Sequence, residues 1–204
     1  MDMRLLKELQ DRFGSRWVKV RFYRTIPSDR NHNSFEGDRF CEAVAQSYRL
    51  PLIVTSEEIG CPGARYVFGW DNHAGQEMTQ HFCKELGFSL DQSETVVNRL
   101  PRLKPECSAV GLNQGEEPDV FVSYLQPEQL MWLVQAYEKR TGQDLVARFS
   151  PVTSVCGDTV VRTFLDQAIN VSFGCPKARK YGKIGDDRLL VGLAPGLARV
   201  LIES

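Results

Sequence analysis

The sequence predicts a protein of α/β or α+β class, built from two related halves, with a mixed sheet and helices outside it. Three observations predict it. Short runs of alternating apolar residues are interleaved with amphipathic runs of helical period along all 204 residues. Hydrophobic residues make up 42% and charged residues 25%, an ordinary balance for a chain that can bury a sizeable core. A six-residue phrase is written twice, Gly-Cys-Pro-Gly-Ala-Arg at 60–65 and Gly-Cys-Pro-Lys-Ala-Arg at 174–179. We expect residues 1–204 to form a single domain, with pseudo-repeat halves of about 1–102 and 118–204.

Leu5, Leu6, Leu9 and Phe13 recur at helical spacing and predict a helix over 3–13, stopped by Gly14. Val18, Val20 and Phe22 alternate with Lys19 and Arg21, the pattern of a half-buried strand over 17–23. The polar, turn-rich stretch 26–38 is a loop, 39–49 a helix carrying Cys41, and 50–56 a short buried strand. Helices follow over 74–87, closed by Gly87, and over 93–103, broken before Pro101. The stretch 103–118 is the nearest thing to a linker. A strand at 119–125 leads into the clearest helix, 126–142, with Pro127 in its first turn and Gly142 as its stop. A strand at 144–150, a helix at 156–168, strands at 169–174 and 188–194 and a short final helix complete the chain.

The two halves align around four cysteines. An apolar strand precedes Cys41, and another precedes Cys156. Nineteen residues lie between Cys41 and Cys61, and 18 between Cys156 and Cys175, and both intervals read as helix then strand. After Cys61 the phrase Pro-Gly-Ala-Arg-Tyr-Val-Phe-Gly-Trp is matched with the strand that carries Gly192, pairing Gly69 with Gly192. The match indicates an internal duplication, and two halves about a pseudo-twofold axis bring equivalent residues together near it.

Four thiolates at one point ligate a soft metal. Structural zinc sites use cysteine pairs two to four residues apart, and no such pair occurs here. Widely spaced single cysteines suit a [4Fe–4S] cube, which takes ligands from four directions. The expected metal ligands are therefore Cys41, Cys61, Cys156 and Cys175, with a [4Fe–4S] cluster as cofactor and zinc, or no metal, as the alternatives. Gly157 leaves room for backbone close to Cys156. Cys83 and Cys107 have no counterpart in the repeat and are expected to pack as small apolar residues. Arg65 and Arg179, four residues after their cysteines, are candidates to offset the cluster's negative charge or to hold an anionic substrate. His73 and His81, eight apart, share a helix face. Asp158, Asp186 and Asp187 are expected to be solvated or to cap a helix.

A formal net charge of −1 gives no general attraction to nucleic acid or anionic membrane. No apolar run approaches membrane-spanning length, and the N-terminal segment lacks the layout of a signal peptide. These features predict a cytoplasmic protein, and there six cysteines stay reduced.

The cysteine frame resembles the uncharacterised prokaryotic family known as domain of unknown function 169. The resemblance rests on Phe-Cys-Glu-Ala-Val-Ala-Gln-Ser around Cys41, Cys-Pro-Gly-Ala-Arg-Tyr-Val-Phe-Gly from Cys61, the 119–137 segment, Ser-Val-Cys-Gly-Asp around Cys156, Gly-Cys-Pro-Lys-Ala-Arg around Cys175, and 186–195. It implies glycine at the place of Lys177, so the second half departs from the pattern there. It implies no reaction, and it implies a distribution among anaerobes, which suits oxygen-sensitive metal chemistry. The expected function is electron transfer, or redox or sulfur chemistry, at an iron–sulfur cluster, with a redox protein or small molecule as partner. A metal-free cysteine redox or sulfur-transfer enzyme and a ligand-binding regulatory module with core cysteines stand as alternatives, and enzyme status and homo-oligomerisation stay open.

Overall fold

The structure, a computed structural model, describes residues 2–28, 33–115 and 117–203. The loop expected over 26–38 lies partly outside them. The elements run α1 (Asp2–Phe13), β1 (Trp17–Tyr23), α2 (Phe40–Ser47), β2 (Leu52–Thr55), α3 (Pro62–Val67), α4 (Ala74–Leu86), α5 (Leu90–Asn98), β3 (Ala109–Leu112), β4 (Val120–Leu125) and α6 (Pro127–Thr141). A π-helix (Ser154–Arg162) then passes straight into α7 (Thr163–Asp166), followed by β5 (Ile169–Ser172), α8 (Pro176–Tyr181), β6 (Leu189–Leu193) and α9 (Pro195–Ile202).

The six strands form one sheet in the order β2-β3-β1-β4-β6-β5. Every pairing is antiparallel, where a mixed sheet was expected. The order divides at the central β1–β4 pair, where Val18 faces Val122 and Val20 faces Val120. On either side the first strand of a half is central, the third lies next to it and the second takes the edge. Each half therefore follows one series of strand, cysteine helix, edge strand, Cys-Pro helix and inner strand. The class expected from sequence is the one observed.

Helices cover both faces. Val120 and Val122 of β4 point into a core formed with α2, α3, the π-helix and α8. Phe121 and Leu125 point the other way, into a core closed by α1, α6 and α9. All four elements that begin at the repeat cysteines thus share one face. Helices α4 and α5 pack together through Met78, Phe82, Val97 and Leu100.

Four expectations need correction. The presumed linker 103–118 contains β3, the strand matching β6. Its four residues are all buried, so no polar alternation marks it. The stretch after Cys61 is helix α3 rather than a strand, because Pro62 stands at the first helical position and six residues are too few to display a helical period. By its place in the sheet, β3, and not the stretch that carries Gly69, corresponds to β6, so Gly69 is no counterpart of Gly192. Residues 144–150 form no strand. There the side chain of Asn170 replaces a neighbouring backbone: its Oδ1 accepts from Arg148 N–H at 2.8 Å and its Nδ2 donates to Arg148 C=O at 3.0 Å.

Smaller shifts have local causes. Helix α5 starts at Leu90 rather than 93 because Ser89 caps it, its hydroxyl accepting from Gln92 N–H while the Gln92 side chain answers Ser89 N–H. The helix expected from 156 begins two residues earlier and opens with wide turns, Asp158 N–H reaching Thr153 C=O across five residues. Asn113 anchors the first cysteine helix: its Oδ1 accepts from Lys19 N–H at 2.9 Å and its Nδ2 donates to Ser47 C=O at 2.8 Å, tying the end of α2 to β1. It does so from a left-handed conformation, φ 55°, which asparagine tolerates. Among the described residues no helix is long and apolar enough to cross a membrane.

Candidate functional site

The four repeat cysteines each stand where a helix starts. Cys41 is the second residue of α2 and Cys156 the third of the π-helix, while Cys61 and Cys175 are the capping residues of α3 and α8. The Cys175 Sγ accepts from Ala178 N–H at 3.4 Å. The Cys-Pro dipeptide explains the placement: proline fixes φ for the first helical turn and leaves the residue before it extended.

Packing across the two halves brings these starts together. Helix α2 of the first half packs on α8 of the second, α3 of the first packs on the π-helix of the second, and α2 meets the π-helix. All four cysteines line one cavity of about 480 Å³. Cys41 and Cys156 are buried, and Cys61 and Cys175 are half-buried. Asp38 sets the approach of Cys61, its C=O accepting from Gly60 N–H at 3.1 Å and Cys61 N–H at 3.2 Å. Ser154, at the start of the π-helix, accepts from Cys175 N–H with its hydroxyl, so the second half ties its own two cysteine-bearing helix starts together.

The close fit depends on glycine at two points. A Cβ on Gly63 would come within 2.8 Å of Thr153 Cγ2, and one on Gly157 within 2.5 Å of Thr153 Oγ1. Gly157 thus admits the Thr153 side chain, where sequence suggested backbone beside sulfur.

The thiols act on one another electrically. Burial pushes the Cys41 thiol up to about 12, and the neighbouring Cys61 and Cys175 push the same way. Burial raises Cys156 well above the ordinary thiol range, with Cys61, Cys175 and Cys41 adding to it. Cys41 and Cys156 therefore resist ionising in the metal-free protein. As they stand, no three His, Cys, Asp or Glu side chains among the described residues are grouped closely enough to hold a metal ion. The cysteines ring a space rather than meet at a point.

Two cationic side chains line this cavity, Lys177 and Arg39, and sequence did not single out Arg39. Burial works against its charge, but Cys61, Asp38 and Tyr181 outweigh burial and hold its proton more firmly than usual; Cys61 also shares a hydrogen bond with it. Its guanidinium lies over the Tyr181 ring, 4.5 Å from the centroid. Its position just before the Cys41 helix was the available signal. Arg39→Leu is expected to lower stability by about 1 kcal/mol, a drop of about 2–4 °C in a thermal melt followed by circular dichroism.

Arg65 and Arg179 do not line the cavity. Arg65 pairs with Asp71 and lies 4.0 Å from Glu77. Arg179 donates to the carbonyls of Phe173, Gly185 and Arg188 and lies 3.7 Å from Asp186. The Ala-Arg ending of the repeated phrase therefore braces the loops around α3 and α8. His81 lines the cavity from α4, and burial, with Lys177 nearby, favours its neutral form. His73 lies at the exposed start of α4, away from it. Cys107 is buried with its sulfur 3.9 Å from Phe68 C=O, and Cys83 lies 3.3 Å from the Ser93 hydroxyl, so both stand apart from the four. Asp187 is exposed as expected, 3.6 Å from Arg188. Asp158 caps nothing and is fully buried inside the π-helix. Its oxygens accept from the Ser150 hydroxyl at 2.7 Å, Ser150 N–H at 3.1 Å and the Ser172 hydroxyl at 2.8 Å.

Comparison with known proteins adds a family to this geometry. The family described as "Uncharacterised ArCR", domain of unknown function 169, matches residues 12–204, which include all four cavity cysteines. The chain belongs to this family. An uncharacterized protein of Methanocaldococcus jannaschii is 27% identical over 178 residues, covering 83% of this chain and 76% of its own length. No solved structure matches the chain.

Proposed function

We propose that this member of the domain of unknown function 169 family binds a [4Fe–4S] cluster through Cys41, Cys61, Cys156 and Cys175. The observation that carries the reading is that four cysteines, two from each half, line one cavity, where burial and the neighbouring thiols hold Cys41 and Cys156 against ionising. A single zinc ion needs every sulfur about 2.3 Å from one point. A cube reaches sulfurs spread around a wall, and such a wall is what the cysteines form here. Cationic iron also removes the mutual repulsion of the thiolates, since metal binding releases the thiol protons. When bound, the cluster supplies reversible one-electron chemistry, or an open iron for substrate where one cysteine is not a ligand. Around it, Arg39 balances negative charge beside Cys61, and the apolar walls contributed by Phe40, Met78, Phe82 and Val155 limit water.

The repeated strand order supports an origin by duplication of a half-length unit with two cysteines. The reading places the protein in a reducing compartment, as a cytoplasmic protein that serves a redox partner protein or a small substrate entering beside His81 and Lys177. Direct contact between Arg39 and Cys61 favours a second reading, in which Cys61 is a reactive thiol and no metal is held.

The test is reconstitution under strictly anaerobic conditions with ferrous iron and sulfide. The expected result is a brown protein with about four irons and four sulfides per chain. A colourless, iron-free protein whose Cys61 alkylates rapidly would favour the second reading instead.

A further inference from the structure

A second recess, separate in chemistry from the cysteine cavity, lies where the end of α5, the end of the π-helix and the 148–151 segment meet. Its volume is about 400 Å³, within the range of small-molecule sites. Three arginines line it, Arg99, Arg148 and Arg162, together with Ser150 and Phe149. None of the three makes an ion pair among the described residues, although other arginines of this chain do. Three guanidinium groups gathered without a carboxylate repel one another, and an anion between them relieves that repulsion.

The backbone that carries Arg99 and Arg148 is held in place by side chains. Asn170 clamps the Arg148 backbone through both its N–H and its C=O. Arg162 Nη2 donates to Arg99 C=O at 3.3 Å, joining the two helix ends. Arg162 Nε is shut off from solvent and has no hydrogen-bond partner among the described residues. Asp158, four residues earlier, feels the Arg162 charge, but its oxygens are already taken by Ser150 and Ser172. An unanswered buried donor of this kind calls for an acceptor.

The edge of the recess is aromatic. Phe149 lines it, is 53% exposed and stacks on Phe173, itself 60% exposed, with ring centroids 4.8 Å apart and planes 30° apart. An exposed ring pair beside a cationic recess matches a ligand with an anionic end and a planar end. A phosphate offers the fork-matching oxygens that guanidinium prefers.

We propose that this recess binds a small phosphorylated ligand of nucleotide type, its phosphates held by Arg99, Arg148 and Arg162 and its ring laid against Phe149. The concave shape and a formal net charge of −1 favour a small ligand over a nucleic acid strand. The site stands independently of the cluster, so it forms in protein with or without iron.

Calorimetry on the full chain, with ADP, adenosine, pyrophosphate and a single-stranded oligonucleotide as probes, tests it. ADP and pyrophosphate are expected to saturate one site. Arg99→Gln and Arg148→Gln should each weaken both by roughly tenfold or more. Arg148→Lys, which keeps the charge but loses the fork, should weaken them by less. Phe149→Ala should weaken ADP while leaving pyrophosphate within about twofold, because base–aromatic stacking alone is removed. Arg99 and Arg148 are exposed, and thermal melts confirm folding of each variant. No saturable binding of either phosphate probe would overturn the proposal. So would affinities unchanged by all the arginine variants, adenosine binding as tightly as ADP, or tighter binding of the oligonucleotide.

Discussion

Cys156→Ser is expected to abolish cluster binding while leaving the fold intact. Cys156 is buried at the start of the π-helix and feels the three other cavity thiols. Serine is close in size, so packing changes little, but its hydroxyl is a poor ligand for iron. After anaerobic reconstitution, iron content should fall from about four per chain to a small fraction, with the far-ultraviolet circular dichroism unchanged. The loaded wild-type protein should also melt well above its metal-free form, by an amount that grows with ligand excess as about 4 kcal/mol at a thousandfold excess over Kd, and the variant should lose that increment. Cys107→Ser is the control. Cys107 is also buried, and burial pushes its thiol up to about 12, yet it does not line the cysteine cavity. It should cost about 1 kcal/mol and retain iron. If Cys156→Ser holds iron as the wild type does, the four-cysteine site is wrong.

Gly192→Ala is expected to cost roughly 3–5 kcal/mol, the largest effect of any single methyl in the sheet. Gly192 sits on β6, paired with Val122 and Asn170, and faces the π-helix. An added Cβ would stand 2.7 Å from the carbonyl carbon of Thr159 and closer still to its oxygen and to the Thr163 hydroxyl. The obstruction is helix backbone, so it cannot be relieved by turning a side chain. The π-helix must lift from the sheet, taking Cys156 with it, and iron retention should fall together with stability. Urea unfolding measures the first and iron analysis the second. Gly196→Ala in α9 makes the comparison: nothing lies within 4 Å of its Cβ position, so it should be neutral or stabilise by up to about 1 kcal/mol. Equal midpoints for the two variants would show that β6 and the π-helix are not in the contact described.

Much of the fold was legible because local signals were strong. Helix α6 has proline at its first position, an apolar stripe and Gly142 in the left-handed conformation that ends it. Strands β1 and β4 alternate plainly enough to be found from seven- and six-residue runs. The misses fall where the deciding partner is far along the chain. Residues 144–150 have the composition of a strand, but the hydrogen bonds that would make them one go to the side chain of Asn170. Strand β3 is too short and too deeply buried to announce itself, and its pairing with β1 and β2 alone defines it.

The candidate site divides in the same way. Cys61 and Cys175 could be named because the repeated phrase is written in adjacent letters, and Cys41 and Cys156 because they precede them by matching intervals of 19 and 18 residues. Arg39 carried only its position before the Cys41 helix as a signal, because its partners are Cys61 and Tyr181, 22 and 142 positions away. Arg65 and Arg179 lay in the repeated phrase, yet their side chains turn to acids and carbonyls outside the cavity. The recess of Arg99, Arg148 and Arg162 left no trace in sequence, since three separate segments build it.

What the chain alone determined was most of its helices and its central strands and which cysteines belong together, because capping, periodicity and the Cys-Pro turn act over a few residues. What only the tertiary structure decided was which side chains surround those sulfurs and which arginines go unanswered. Those outcomes depend on how the two halves of the sheet meet at β1 and β4, and no local preference encodes that meeting.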